Sequence, residues 1–242
     1  MSRAVLVGCS HGTSSVQGRA DVRALLGAVR RRLAAHEVRE AFVDVQDPRV
    51  GQVVGRLAPR PTVIVPLLLT VGHHVLADIG RAAVSRPGVV AAPALGPDPR
   101  LVGVLQDRVL ALRPGPSDRV VIAVAGSGHP RAEHASRTLE RQVRAGLERH
   151  VGGVGVGFIA AQRPTLHEAI AAARTAAAGK GGRVLVGTYL LAHGYFSDKV
   201  GQAAADALTP PLLDAAGPVD PRLVDLVTER FSRAAQDLPA RG

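Results

Sequence analysis

The chain contains the same pattern twice. Residues 42–48 read Phe-Val-Asp-Val-Gln-Asp-Pro and residues 158–164 read Phe-Ile-Ala-Ala-Gln-Arg-Pro, at an offset of 158 − 42 = 116. Residues 96–102 return at 217–224 with one inserted residue, and their arginines are offset by 222 − 100 = 122. A repeat of about half of the 242 residues predicts two lobes with the same fold.

The two copies differ at three chemically important positions. Under this alignment, the first copy has imidazole or carboxylate groups where the second copy has side chains that bind neither a metal nor a proton near neutral pH. The three pairs are His11 and Ser127, Asp44 and Ala160, and His74 and Phe196. We therefore expect the functional site in the first copy and a degenerate counterpart in the second.

The boundary between the copies is expected at the turn-forming segment 113–118, which reads Arg-Pro-Gly-Pro-Ser-Asp. The first lobe, 1–113, then carries the candidate site, and the second lobe is 118–242. No apolar run approaches the roughly 20 residues that span a bilayer. The amino-terminal segment lacks the basic and cleavage regions of a secretory signal. We expect a cytoplasmic protein that does not bind membranes.

The composition limits the ligands that the chain can bind. Cys9 is the only cysteine, so one chain cannot form an internal disulfide or a thiolate metal cluster. The formal net charge of +10, from 30 basic and 20 acidic residues, suits a polyanionic ligand. Nucleic acid is disfavoured because the chain has no tryptophan and only 2% aromatic residues for stacking bases. A small molecule with many carboxylates or phosphates is favoured, although the arginine excess is equally consistent with compositional bias.

Short apolar segments alternate with amphipathic helical segments in both copies. This alternation predicts an α/β fold in which each lobe is a parallel four-stranded sheet flanked by helices, because continuously apolar strands are buried on both faces. The expected strands of the second copy lie near 119–125, 154–161, 183–191 and 211–213.

Chemically active side chains follow the predicted strands of the first copy. His11 follows the first strand, Asp44 ends the second, and His73 and His74 follow the third. In open α/β sheets, ligands bind beyond the carboxyl ends of the strands, where the strand order reverses. With the common order 2-1-3-4, we expect His11 and His74 to face each other across one crevice, with Asp44 at its flank. Such a group suits a divalent metal such as Fe, Co, Ni or Zn, or proton transfer near neutral pH.

Residues 8–12 also match the G-x-S-x-G pattern of the nucleophile elbow in α/β-hydrolases. That elbow normally follows several earlier strands, whereas only seven residues precede Gly8. The acid and histidine of a catalytic triad are also not evident in the required order. A serine hydrolase is therefore disfavoured.

Four short motifs occur in the order found in a known enzyme family. They are Ser10-His11-Gly12-Thr13 after the first strand, Phe42-Val43-Asp44 at the end of the second, Val65-Pro66-Leu67-Leu68-Leu69 before Gly72-His73-His74-Val75, and Gly96-Pro97-Asp98-Pro99. Together they resemble the class II sirohydrochlorin chelatases of the CbiX and SirB type, over nearly the whole chain.

The resemblance implies two flavodoxin-like lobes and ATP-independent insertion of Co²⁺ or Fe²⁺ into sirohydrochlorin, a polycarboxylate tetrapyrrole, in cobalamin or sirohaem biosynthesis. The two signature histidines of the family correspond to His11 and His74, which we expect to be catalytic and to bind the metal. Asp44 stands where the family usually has glutamate, and we expect it to be the third catalytic residue. The expected substrate contacts are Ser10, Gly12, Thr13 and His73.

No permanently bound cofactor is implied, because the divalent metal, Co²⁺, Fe²⁺ or Ni²⁺, is a substrate. Long members of the family resemble this chain in carrying a degenerate second lobe, so we expect a monomer. The alternative is a non-catalytic carrier of a metal or a tetrapyrrole that uses the same pocket.

Overall fold

The computed structural model of the chain describes residues 3–69, 73–127 and 130–239, of which the side chains of residues 73–76 and 130–133 are not described. The strands are β1 (Val5–Ser10), β2 (Val38–Phe42), β3 (Thr62–Pro66), β4 (Val89–Ala91), β5 (Arg119–Val124), β6 (Gly153–Phe158), β7 (Val184–Tyr189) and β8 (Ala207–Leu208). The helices are α1 (Val16–Arg32), α2 (Val50–Arg56), α3 (His73–Val84), α4 (Pro99–Ala111), α5 (Pro130–Leu147), α6 (Leu166–Ala178), α7 (Tyr195–Gly201) and α8 (Pro221–Ala235). Within these ranges, no helix is both long enough and apolar enough to cross a bilayer.

The strands form two four-stranded parallel sheets, in the orders β2-β1-β3-β4 and β6-β5-β7-β8. Every residue of the inner strands β1 and β3 is buried, as expected for strands covered by helices on both faces. The predicted fold class and the predicted 2-1-3-4 strand order are confirmed. The carboxyl ends of β2, β1 and β3 therefore lie side by side at one edge of the first sheet.

The strand register corrects the alignment of one residue pair. β1 and β5 begin at Val5 and Arg119, an offset of 119 − 5 = 114. The counterpart of His11 is consequently Ala125, and the pairing with Ser127 was wrong. The two-residue insertion lies between the first helix and the second strand of the second copy, not before the first strand. The conclusion that the second copy has no imidazole at this position is unchanged.

The strand expected at 211–213 is also corrected, because β8 is Ala207–Leu208. The N–H groups of Leu212 and Leu213 donate to the carbonyls of Leu190 and Leu191, which follow the end of β7. Both leucine side chains are buried. The segment therefore has the apolar character of a core strand without belonging to one.

The chain folds into two compact units whose boundaries differ from those of the sequence copies. The first unit contains residues 1–96 and 215–242, and the second contains residues 97–214. Helix α4, from the first copy, packs on β7 and α5 in the second unit, whereas α8, from the second copy, packs on α1 and β3 in the first. Each unit therefore takes its last helix from the other sequence copy, and the lobe bounds 1–113 and 118–242 stay a prediction.

The exchanged helices are part of the hydrophobic cores. In the second unit, Leu105 and Val109 of α4 lie 3.3 and 3.2 Å from where a side chain on Gly187 of β7 would begin, so the helix packs directly on the strand. In the first unit, Phe231 of α8 is only 2% exposed. Its ring meets the His36 ring edge to face, with the centroids 5.0 Å apart.

We expect Phe231→Ala to destabilise the first unit by about 3–5 kcal/mol, the usual cost of truncating a buried aromatic side chain. Native-state amide hydrogen exchange is the measurement. Amides of β3 should exchange faster in the variant, and amides of β7 should keep their rates. Ser232→Ala, on the exposed side of the same helix, is the matched control. Acceleration confined to β7 would contradict the assignment of α8 to the first unit.

Candidate active site

The first strand delivers His11 to the surface. β1 is buried along its whole length and ends at Ser10, and His11 is the first exposed residue after it. Five residues, 11–15, then lead into α1, whose amino terminus is capped by Ser15 through a hydrogen bond from the Gly18 N–H. His11 therefore lies beyond the carboxyl end of β1, where ligands of open α/β sheets bind.

Backbone pairing continues past the strand ends and places Asp44 beside His11. The Val43 N–H donates to the Ser10 carbonyl at 2.9 Å, and the Asp44 N–H donates to the His11 carbonyl at 2.9 Å. Both side chains are exposed at this edge of the sheet. The structure thus brings together two of the three predicted catalytic residues.

Gly12 permits the close approach of the two loops. Its φ is +95°, and a side-chain carbon there would lie 2.3 Å from the Asp44 carbonyl oxygen. Only glycine fits such a position without displacing the backbone. Gly126 repeats this turn in the second copy, with φ +85° and a Cβ position 1.9 Å from the Ala160 carbonyl oxygen. The same glycine turn therefore shapes the backbone in both copies, whereas the imidazole of His11 and the carboxylate of Asp44 occur only in the first.

The other predicted contacts near this turn have structural partners. The Thr13 N–H donates to Gln46 Oε1 at 2.8 Å, and Thr13 Oγ1 accepts the Ser15 N–H at 3.1 Å. Ser10 is only 7% exposed and its carbonyl belongs to the backbone pairing described above. A hydrolase nucleophile must present its hydroxyl at an exposed turn, so the burial of Ser10 also argues against the G-x-S-x-G interpretation.

Arg49 is a site residue that the sequence reasoning missed. One of its terminal nitrogens donates to Asp44 Oδ1 at 2.8 Å and to the Val43 carbonyl at 2.9 Å. The corresponding residue of the second copy, at offset 116, is Thr165, which caps α6 through a hydrogen bond from the Glu168 N–H. A loss of Arg49 in parallel with the loss of Asp44 was visible in the alignment and could have identified the pair.

The charge state of Asp44 is set by these neighbours. The hydrogen bond from Arg49 holds the pKa of the Asp44 carboxyl below its usual value, with smaller contributions from the Val45 N–H and from the positive charge of His11. The same pair raises the pKa of Arg49. Asp44 is therefore an exposed carboxylate anion at neutral pH.

Helix α3 follows β3 and begins at His73. The side chains of His73 and His74 lie outside the described residues, so only their backbone position in the first turn of α3 is known. The predicted convergence of His74 with His11 stays a prediction.

Asp78, one turn beyond His74 on α3, brings a second acid to the site. Its negative charge contributes to the raised pKa of Arg49. Burial raises the pKa of the Cys9 thiol to about 12, and the charge of Asp78 adds to that rise. Asp78 also forms an ion pair with Arg81. The described part of the site therefore combines His11 with the acidic residues Asp44 and Asp78 and with Arg49.

These donors suit a divalent metal of the first transition series. Imidazole nitrogen and carboxylate oxygen bind Fe, Co, Ni and Zn, and His11 and Asp44 offer one of each. An imidazole is also the side chain that most often serves as a general acid or base.

A cavity of about 630 Å³ occurs elsewhere, in the second unit. It runs along β6 between α5 and α6, over Gly153 and Gly155. These glycines stand where the first copy has Glu37 and Arg39, so the missing side chains open the space. None of its lining residues belongs to the predicted site.

The CbiX family model matches residues 5–112 and again residues 119–234, which are the two sequence copies. A comparison with curated protein sequences finds no match.

Among solved structures, SirB from Bacillus subtilis with Fe³⁺ is similar at a TM-score of 0.73 and 17% identity, covering 97% of this chain and 96% of that one. The cobalt complex of SirB from Bacillus subtilis subspecies spizizenii gives the same values. CbiX, described as the terminal enzyme for biosynthesis of siroheme in denitrifying bacteria, has a TM-score of 0.65 and 22% identity, covering 96% and 99%. These likenesses establish the fold. Since the two family matches span nearly the whole sequence, the chain belongs to the CbiX family.

Proposed function

We propose that the protein inserts Co²⁺ or Fe²⁺ into sirohydrochlorin without ATP, as a cytoplasmic monomer. The observation that carries this proposal is the backbone pairing that sets His11 beside the ionised Asp44, in the one copy that has both residues. Membership of the CbiX family and the iron and cobalt carried by the SirB structures support the choice of reaction and metals. The basic excess of the chain favours a substrate with many carboxylates.

Metal insertion requires a base as well as a metal ligand, because the tetrapyrrole loses two pyrrole protons when it takes up a divalent ion. The neutral imidazole of His11 accepts the two pyrrole protons one after the other and passes each to solvent. The Asp44 carboxylate beside His11 carries a charge opposite to that of the imidazolium that forms. Arg49 acts on this step indirectly, because it keeps Asp44 ionised.

The incoming metal ion is the second substrate. His11 and Asp44 provide nitrogen and oxygen donors at an exposed edge, and we propose His74 as the further imidazole ligand. A transient site must release the ion to the ring, and ligands at an exposed edge favour release. The proposed substrate contacts at Gly12, Thr13 and His73 border the same edge, and Ser10 contributes through the backbone that it pairs with β2.

The test is metallation of sirohydrochlorin followed by absorbance, with Co²⁺, Fe²⁺ and Ni²⁺ in parallel and the protein substoichiometric. We expect many turnovers per chain with at least one of the three metals. His11→Ala and His74→Ala should each lower the rate by about 100-fold or more, the scale of losing a general base. A carrier would instead bind one equivalent of ligand and leave the metallation rate at its uncatalysed value.

His167→Ala is the control for the histidine variants, because His167 is exposed on α6 of the second copy. It should metallate like the unmodified protein. His11 is exposed, so His11→Ala should also keep the thermal unfolding midpoint. Equal rates for His11→Ala and His167→Ala would contradict the assignment of the site.

A second prediction concerns Arg49 and the ionisation of Asp44. Because Arg49 lowers the pKa of Asp44, Arg49→Met should raise that pKa toward its usual value, so the carboxyl becomes protonated at a higher pH. The measurement is the titration of the Asp44 carboxyl carbon by NMR. The acid limb of the metallation profile should move to higher pH in the same variant.

Arg56→Met is the matched control, since Arg56 is an exposed arginine at the other end of α2. It should change neither the NMR titration nor the acid limb. An Asp44 titration that is the same in Arg49→Met and in the unmodified protein would refute the role given to Arg49.

A further inference from the structure

The cavity along β6 is a feature of the second copy that the proposed metal insertion does not use. Its lining residues lie between positions 119 and 176, so it belongs to the second unit alone. Its volume of about 630 Å³ falls within the roughly 300–1,000 Å³ of small-molecule sites in proteins. The space is therefore large enough for an organic molecule and not only for a single ion.

The surface that forms the cavity differs in charge and in volume between the two copies. In the first copy, Glu37 accepts hydrogen bonds from both Arg39 and Arg60, so an ion-paired cluster occupies this surface. In the second copy, Gly153 and Gly155 stand in place of Glu37 and Arg39. The second copy thus has an open space where the first copy has ion-paired side chains.

Arg119 lies beside these glycines. It begins β5, as Val5 begins β1, and it pairs with Gly153 across the two strands. A side-chain carbon on Gly153 would collide with Arg119 Nη1, so the guanidinium lies where the side chain of residue 153 would be. Nη1 also donates to the Gly152 carbonyl. A cation that lines the cavity therefore stands where the first copy has an apolar residue.

Cationic side chains outnumber acidic ones in the lining. The ionisable lining residues are Arg119, Arg137, Glu140, Arg144 and Arg163. Glu140 forms an ion pair with Arg144, and Glu168, which is outside the lining, forms one with Arg163. The buried Nε of Arg119 has no hydrogen-bond partner among the described residues. Because taking a guanidinium out of water costs free energy unless the charge is paired, a bound anion would stabilise Arg119 in this position.

Much of the remaining lining is apolar and small. These residues are Ala169, Ala172, Ala173 and Ala176 of α6, with Val154 and Val156 of β6. Alanine side chains leave the space open, whereas larger residues at these positions would fill it. A ligand of this cavity should therefore combine an apolar body with negative charge.

We propose that this cavity binds a small organic anion, with an apolar body against α6 and β6 and a carboxylate or phosphate group that pairs with Arg119. Guanidinium groups hold the oxygens of both kinds of group through paired, charge-assisted hydrogen bonds. The inference goes beyond the proposed function, because the cavity contains none of the predicted site residues and its ligand takes no part in metal insertion.

The test uses the full chain and three probes that share a naphthalene ring, which are naphthyl phosphate, naphthoate and neutral naphthol. Isothermal titration calorimetry gives the dissociation constants, and backbone amide shifts in NMR spectra locate the bound ring. At least one anionic probe should bind about tenfold more tightly than naphthol, the scale of a hydrogen bond to a charged group. The amides of Val154 and Gly155 should shift. The tighter of the two anions identifies the group that the site prefers, phosphate or carboxylate.

Two variants alter the cavity in different ways. Gly155→Leu fills it, and a side-chain carbon at this lining position would meet no described atom within 4 Å, so the strand should be kept. The dissociation constants of the anionic probes should rise about tenfold or more, because the ring loses its space. Arg119→Met removes the charge, and it should weaken the anionic probes about tenfold while naphthol binds as before.

Each variant has a matched control in the same unit. Gly201→Leu changes an exposed glycine of α7 at which a side-chain carbon would also meet no described atom within 4 Å. Arg141→Met removes an exposed arginine of α5 that does not line the cavity. Both controls should bind the three probes as the unmodified protein does.

Unchanged binding of the anionic probes in Gly155→Leu and Arg119→Met would overturn the inference. Equal binding of naphthol and both anions by the unmodified chain would also overturn it. So would displacement of a bound anion by metal-free sirohydrochlorin, since the cavity would then belong to the chelatase site. Metallation should proceed at the normal rate in all of these variants, so this inference can fail while the proposed function stands.

Discussion

The hydrogen bond from the Asp44 N–H to the His11 carbonyl is the interaction on which the candidate site depends. It extends the pairing of β1 and β2 beyond both strands, so the positions of His11 and Asp44 are set by the sheet and not by flexible loops. The bond requires the turn at Gly12, where any side chain would collide with the Asp44 carbonyl. Arg49 then binds the Asp44 carboxylate and keeps it charged. Each of these features follows from the alignment of two neighbouring strand ends.

The second copy keeps the backbone turn and hydrogen bond of the site without the side chains of His11 and Asp44. Gly126 makes the same turn, and the Ala160 N–H donates to the Ala125 carbonyl in place of the bond between Asp44 and His11. The backbone is thus retained where both functional side chains are alanine. Thr165, in place of Arg49, caps a helix and has no carboxylate of this site to neutralise.

The strands, their order and the exposed positions of two site residues were predictable from the sequence, because each depends on the pattern of neighbouring residues. Apolar runs marked the strands, the order 2-1-3-4 followed from the common α/β topology, and the exposed residues after β1 and β2 were anticipated. The ion pair between Arg49 and Asp44 was not recognised, because a cation five residues from an acid has no fixed geometry in the sequence, and only the folded segment between β2 and α2 brings the two side chains together.

The exchange of the last helices could not be predicted either. Helices α4 and α8 are amphipathic and have similar sequences. The pattern of apolar residues in each helix would therefore allow it to pack on either sheet. Only tertiary packing decides, as in the contact of Leu105 and Val109 with Gly187. The two-residue error at Ser127 arose because an insertion between the first helix and the second strand of the second copy leaves the strand pattern intact on both sides.

Cobalt binding by the full chain is the most direct test of the claim that the first copy alone holds the metal site. Titration with Co²⁺, followed by X-ray absorption at the cobalt edge, should show one ion per chain with imidazole nitrogen in its ligand shell. His11→Ala should lose this site, and His167→Ala should retain it. Two equivalent cobalt ions per chain, or an unchanged ligand shell in His11→Ala, would contradict the account.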